Sequence, residues 1–277
     1  MRAALWPRIL WITGAVLLAT MVVHLVALAV TGGPVTGPVS LRKPATFAET
    51  GWLTVLFGVG ETTIMAVQAW RGVPSHYNFS TPLDAAMMRG GAAGTAGVFL
   101  IGVIVMLVAA LRTPGMAPSV RLGVVAGTLV LLAGCAIGFT MVSNNSGVFQ
   151  GAFGSGFGDR SAGYLGPDPA TVGREYPLIR PDTDGGDLVL PHAIGVHGLI
   201  LLAVPAILLG RTSSRHQLPT IALAVAAVAC AMTILIVHAL RRLPLHDLHP
   251  VTLALLALCA LTYAGTLITA AGRPGHR

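Results

Sequence analysis

The sequence predicts an all-α membrane protein, a polytopic bundle of about seven transmembrane helices. Three observations predict it. Only 10% of the 277 residues are charged and 54% are hydrophobic, whereas soluble domains carry about 25% charge. Mean hydropathy is +0.78. Seven apolar runs are each long enough for the roughly 20 helical residues that cross a hydrocarbon core. This composition excludes a soluble domain, a disordered chain and a disulfide-built scaffold.

The runs lie near 9–30, 47–70, 91–111, 122–142, 188–209, 218–240 and 250–271 and make one membrane domain over 1–277. The first starts basic, with Arg2 and Arg8, and Ala27-Leu28-Ala29 has the form of a signal cleavage site. Its apolar stretch of about 22 residues exceeds the hydrophobic region of a signal peptide, so it is expected to remain as a span. The second run carries Glu61 and Gln68, seven residues apart and therefore on one helical stripe. The third opens with Gly90-x-x-x-Gly94 and Ala93-x-x-x-Gly97, and the fourth carries Gly123-x-x-x-Gly127 and Gly134-x-x-x-Gly138. Small residues four apart let helix backbones approach closely in lipid, within one chain or across a homodimer.

Between the fourth and fifth runs, 144–187 reads as a long polar loop rich in Gly, Pro and Asp. Its glycine run over 151–158 lacks the Lys-Ser/Thr of a phosphate loop, and Asp182, Asp184 and Asp187 lack calcium-loop spacing. The fifth run holds His192 and His197 after Pro191, and the sixth ends near His238. Cys135, Cys230 and Cys259 lie inside apolar runs with no C-x-x-C, and read as free, buried hydrophobes.

Net charge is +7, but the basic residues sit in ones and twos at the ends of spans. That is no nucleic-acid footprint. The partners expected are the lipid bilayer and a second copy or another membrane protein. An odd number of spans puts the termini on opposite sides. The N-terminal side carries nine Lys/Arg and the other side eight. Long loops vote weakly, and without Arg160, Arg174 and Arg180 the N-terminal side keeps six. The C-terminus is therefore expected in the cytoplasm and the N-terminus outside. Sixteen of the 17 basic residues are Arg. With so much Ala, Gly and Val, that bias points to a GC-rich bacterial genome and hence to a bacterial inner membrane.

Ionisable groups at membrane depth are functional candidates by default. Glu61 and His197 each lie about nine residues, or roughly 13 Å, from the N-terminal face. Equal depth makes them an expected pair, which would spare the carboxylate from burial unpaired. Six of the nine histidines, His76, His192, His197, His238, His246 and His249, fall at or just below this face. Imidazole is the commonest metal ligand and also binds haem iron. The candidate catalytic residues are Glu61, Arg71 and His197, with Arg71 positioned to hold an anionic headgroup or substrate. The candidate ligands for a metal ion or haem are His76, His192, His197, His246 and His249. Gln68, Ser75, Asn78, Asp84, Asp187 and Asp247 complete the polar set. On an ideal helix His192 and His197 point about 140° apart, so sharing one ion needs a distortion such as Pro191 can supply.

Two stretches carry a resemblance. One is Glu61…Gln68-Ala-Trp-Arg71-Gly-Val-Pro-Ser75-His76-Tyr-Asn78…Pro82-Leu-Asp84. The other is Gly186-Asp187-Leu188-Val-Leu-Pro-His192-Ala-Ile-Gly195-Val-His197. They resemble a family of bacterial multi-pass membrane proteins of unknown activity, whose patterns read E…Q-x-x-R-G-V-P-S-H-F-N…T-P-F-D and G-D-L-R-x-x-H-F-x-G-x-H. The motifs cover about 35 residues. Val189 stands where that family has Arg, and Ala193 where it has Phe. The missing Arg removes the partner such an Asp187 would have. The resemblance implies a multi-pass fold and no particular activity.

Three functions compete on this basis. A metal- or haem-dependent membrane enzyme or redox protein would use the histidine-rich face. A proton-coupled transporter would use Glu61 and His197. An accessory membrane subunit would need no chemistry at all.

Overall fold

The apolar runs are helical over nearly all of the residues that the structure describes. The computed structural model describes residues 15, 19, 22, 23, 26, 27 and 30, then 55–73, 81–149, 163–165, 176, 181, 183–212 and 215–271. The elements are α1 Val55–Trp70, α2 Pro82–Ala86, a π-helix Met87–Ala92, α3 Ala93–Arg112, α4 Pro118–Phe149, α5 Val189–Val196, α6 Gly198–Gly210, α7 Gln217–Leu240, a 3-10 turn Leu245–Asp247 and α8 Pro250–Ala270. Among the described residues there is no strand, and Tyr164 and Asp187 form one isolated antiparallel bridge. The fold is all-α.

Among the described residues, five helical segments are long and apolar enough to cross a membrane: Gly94–Arg112, Pro118–Met141, Val189–Gly210, Gln217–Leu240 and Pro250–Ala270. Their outward faces carry Ile101, Val105, Leu258, Leu261 and Ile268, all exposed. Lipid solvates such faces and water does not. The protein is a multi-pass membrane protein.

Two run boundaries differ from expectation. The fourth helix continues past 142 to Phe149, so Asn144 and Asn145 are helical and the long loop begins later. Hydropathy marks where lipid ends, but Val142–Phe149 contains no Pro, and backbone hydrogen bonds continue in polar sequence. The fifth run is two helices, α5 and α6, joined at His197 (φ −88°, ψ −1°). Gly195 and Gly198, weak helix formers, flank the join. The glycine run over 151–158, Asp182 and residues 47–54 of the second run lie outside the described residues, as do most of 9–30.

The described chain falls into two compact units, 1–102 with 147–159 and 103–146 with 160–277. In the first, α1 packs on the π-helix through Ile64, Met65 and Met88. In the second, the glycines of α4 make a seam for α5 and α6. Gly123 lies against Leu202 and Ala206, Gly127 against the backbone of Gly198 and Leu199, and Gly134 against Gly195. Gly138 makes room for the ring of His192. A core of Ala126, Leu202, Ala224 and Val228 sits beside this seam, with Tyr263 packed on it. The Tyr263 hydroxyl donates to the Leu201 carbonyl at 2.8 Å. Gly90, Gly94 and Gly97 have no described atom within 4 Å of where a Cβ would stand.

Candidate functional site

The polar residues of the first unit are placed by helix ends. Gly72 takes a left-handed conformation (φ 68°), which a glycine adopts without strain. The amide of Gly72 then donates to Ala69 O and that of Val73 to Gln68 O, both at 3.1 Å. These two bonds are the Schellman ending of a helix. They turn the chain at Arg71, whose guanidinium lies over the preceding turn. Thr81 begins α2: its hydroxyl accepts from the Asp84 amide at 3.1 Å and donates to Asp84 Oδ2 at 2.7 Å. Thr81-Pro-Leu-Asp84 is thus a start signal with Pro at the first helical position.

These two ends bring Gln68, Arg71 and Asp84 together. Arg71 Nη1 donates to Asp84 Oδ1 at 2.5 Å and to Gln68 Oε1 at 2.6 Å. Gln68 Nε2 donates to Asp84 Oδ1 at 3.1 Å. Asp84 is 1% exposed and the Arg71 side chain 34%. The carboxylate is therefore neutralised and satisfied on both oxygens. Arg71, expected to hold an anionic headgroup, has its charge engaged by Asp84.

Glu61 lies one to two turns earlier on the same stripe of α1 as Gln68. It is 4% exposed. Its Oε1 accepts from the Thr95 hydroxyl at 2.7 Å. Its Oε2 has no hydrogen-bond partner among the described residues, and neither has the buried hydroxyl of Thr62. The expected partner, His197, belongs to the other unit. Thr95 reaches Glu61 because Gly60 has no side chain: a Cβ there would overlap the Thr95 methyl.

In the second unit the rings of His192, His238, His246 and His249 each make a hydrogen bond within the fold. His192 Nδ1 lies 2.9 Å from the Gly134 carbonyl. A carbonyl only accepts, so Nδ1 carries the hydrogen and Nε2 the lone pair. His197 lies at the α5–α6 join, within electrostatic reach of His192. His238 Nε2 donates to the Pro244 carbonyl at 2.9 Å, holding the loop after α7. His246 Nδ1 pairs with the Tyr176 hydroxyl at 2.7 Å, and its backbone amide donates to the same hydroxyl at 3.1 Å. Asp247 lies 3.7 Å from His246 Nε2, both exposed. His249 Nδ1 accepts from the Val251 amide at 3.3 Å and starts α8. His246 and His249 therefore serve different partners. Among the described residues no three His, Cys, Asp or Glu side chains converge on a metal-sized site.

Asp187 starts α5. Its Oδ1 accepts from the Val189 amide at 2.7 Å. On either side of it, Leu188 N donates to Gly163 O at 2.9 Å and Leu165 N to Gly186 O at 2.7 Å. A backbone amide thus binds the Asp187 carboxylate at the start of the helix. Gly186 packs on the Ala239 carbonyl, where no side chain fits. Ser75, His76 and Asn78 lie outside the described residues.

Sequence reasoning missed Thr95, Thr62 and Thr81. Thr81 was detectable, because a Thr three residues before an Asp at a helix start is a capping signature. Thr95 was not: a Thr in an apolar run is ordinary, and only the packing of α1 on the π-helix gives it a carboxylate. Comparison of the chain with known protein families, with curated proteins and with solved structures gave no match.

Proposed function

We propose that the protein is a proton-coupled carrier of a bacterial inner membrane, with Glu61 as its protonatable group. One observation carries this reading. Among its described residues the first unit holds two buried carboxyl groups, and they are treated oppositely. Asp84 is neutralised by Arg71 and bonded on both oxygens, as a structural clasp should be. Glu61 has one hydroxyl partner and a second oxygen with none among the described residues. Buried polar groups are nearly always satisfied, and the exceptions concentrate at working sites. An acid left half-satisfied at membrane depth is suited to gaining and losing a proton. The N-terminal, extracytoplasmic face is the proposed proton entry.

The test is a pH jump on proteoliposomes adsorbed to a solid-supported membrane, which needs no substrate. Wild type should give a transient proton-binding current that Glu61→Gln abolishes. An undiminished current in Glu61→Gln ends the proposal.

A second reading, a metal or haem site, is favoured by one specific feature. The bond to Gly134 fixes His192 in the tautomer that leaves Nε2 free to ligate, the usual arrangement for a metal-binding histidine. Elemental analysis of detergent-purified, never-chelated protein decides it. Near one equivalent of iron, zinc or copper per chain, lost in His192→Gln, supports it. Background levels leave His192 as a clasp between helices.

A further inference from the structure

A threonine hydroxyl has one hydrogen to give and lone pairs to receive. Thr95 Oγ1 stands 2.7 Å from Glu61 Oε1 and 3.0 Å from the Gly91 carbonyl. Gly91 belongs to the π-helix Met87–Ala92, and Thr95 to the first turn of α3. A carbonyl only accepts, and so does an ionised carboxylate. With Glu61 ionised, two acceptors compete for the single Thr95 hydrogen. The charge-assisted bond is about twice as strong as the neutral one, so Glu61 takes it. With Glu61 protonated, its own O–H donates to Thr95 Oγ1 and the Thr95 hydrogen turns to Gly91. Both Thr95 contacts, to Glu61 Oε1 and to the Gly91 carbonyl, are then hydrogen bonds at once.

We infer that Thr95 is a positioning residue that passes the protonation state of Glu61 to the π-helix Met87–Ala92. The inference rests on Glu61 being the protonatable group proposed above. No heavy atom needs to move for the switch; one hydroxyl hydrogen changes sides. Its consequence falls at a susceptible place. A Thr that bonds back to the carbonyl four residues earlier weakens and bends its helix. A π-helix is a local change of helical register, found often at working sites. Glu61 thus decides whether an extra bond exists where the π-helix joins α3.

The geometry is built for this contact. Gly60 leaves space under the Thr95 methyl, and Gly91 leaves space for Ile64. Larger residues at either position would push α1 away from the π-helix and open the 2.7 Å contact. Of the described charges on these elements, Asp84 of α2 is paired with Arg71 at the end of α1. Arg89 is the one charged residue in the π-helix sequence.

The test uses full-length protein in nanodiscs. Backbone hydrogen exchange over 87–95 is measured at two pH values that bracket proton uptake. A segment of α7, 224–235, is the internal reference for the intrinsic effect of pH. A hydrogen bond of ordinary strength changes protection about two- to tenfold. Wild type should show a change of that size, and Thr95→Ser should keep it. Thr95→Val should lose it while retaining the pH-jump current, because Glu61 still takes its proton. Thr95→Ala replaces the Val variant if the latter is not monodisperse. A pH-dependent change that persists in Thr95→Val, or in its Ala substitute, overturns the inference about Thr95 and leaves Glu61 untouched. A current unchanged in Glu61→Gln overturns the reading beneath it.

Discussion

Gly134→Ala should loosen the second unit, and the size of the effect follows from the seam. An alanine Cβ at position 134 would stand 2.5 Å from Gly195 C, 2.6 Å from Val196 N and 2.7 Å from Gly195 Cα. All three are backbone atoms, so no flexible side chain can swing aside. Overpacking of this kind costs about 1–3 kcal/mol, and backbone-on-backbone contact places it in the upper half. Alanine recovers about 0.5–1 kcal/mol of helix propensity. The net loss is about 1–2 kcal/mol, a five- to thirtyfold fall in the folded ratio. Gly265→Ala in α8 is the matched control, since no described atom lies within 4 Å of its Cβ position. It should be neutral or slightly stabilising. Reversible unfolding in mixed micelles measures both. Equal stability of the two variants would mean that α4 and α5 do not touch at Gly134, and the seam would have to be abandoned.

Three other outcomes are expected. Arg71→Ala should destabilise more than Asp84→Ala, because it takes the Arg71 charge away from a carboxylate that is 1% exposed, while Arg71 is partly exposed and can reach water. The double variant should recover part of the loss, with a coupling of about 0.5–3 kcal/mol in a double-mutant cycle; strict additivity would contradict the pair. Thr81→Ala should cost about 1 kcal/mol through loss of the cap on α2, with Thr81→Ser close to wild type in thermal unfolding. Tyr176→Phe should raise hydrogen exchange at 244–249 and leave the midpoint of global unfolding within about 0.5 kcal/mol, since the contact it removes is exposed.

Much of the fold was legible because lipid imposes it. An apolar run of twenty residues has few alternatives to a helix, and the runs near 91–111, 218–240 and 250–271 are helices to within a few residues. What hydropathy does not report is where a helix ends in polar sequence, as at Asn144 and Asn145, or where two glycines break one span into two, as around His197. The grouping of Gln68, Arg71 and Asp84 was half legible. Their selection came from sequence, but their contact depends on the turn at Gly72 and the cap at Thr81. The histidines show the opposite limit. Counting them on one face suggested a shared ion, yet His192, His238, His246 and His249 each bond to a different backbone or side-chain group. Spacing cannot separate a ligand from a helix start, because both use the same ring nitrogen.

The small ladder around Tyr164 and Asp187 has a practical consequence for topology mapping. Gly163–Leu165 and Gly186–Leu188 are tied backbone to backbone by two hydrogen bonds, so these anchor points are held together whatever the length of sequence between them. An epitope or a folded reporter protein inserted in that intervening sequence is therefore expected to leave the tie intact. Its accessibility from outside intact cells gives the orientation of the whole bundle in one measurement.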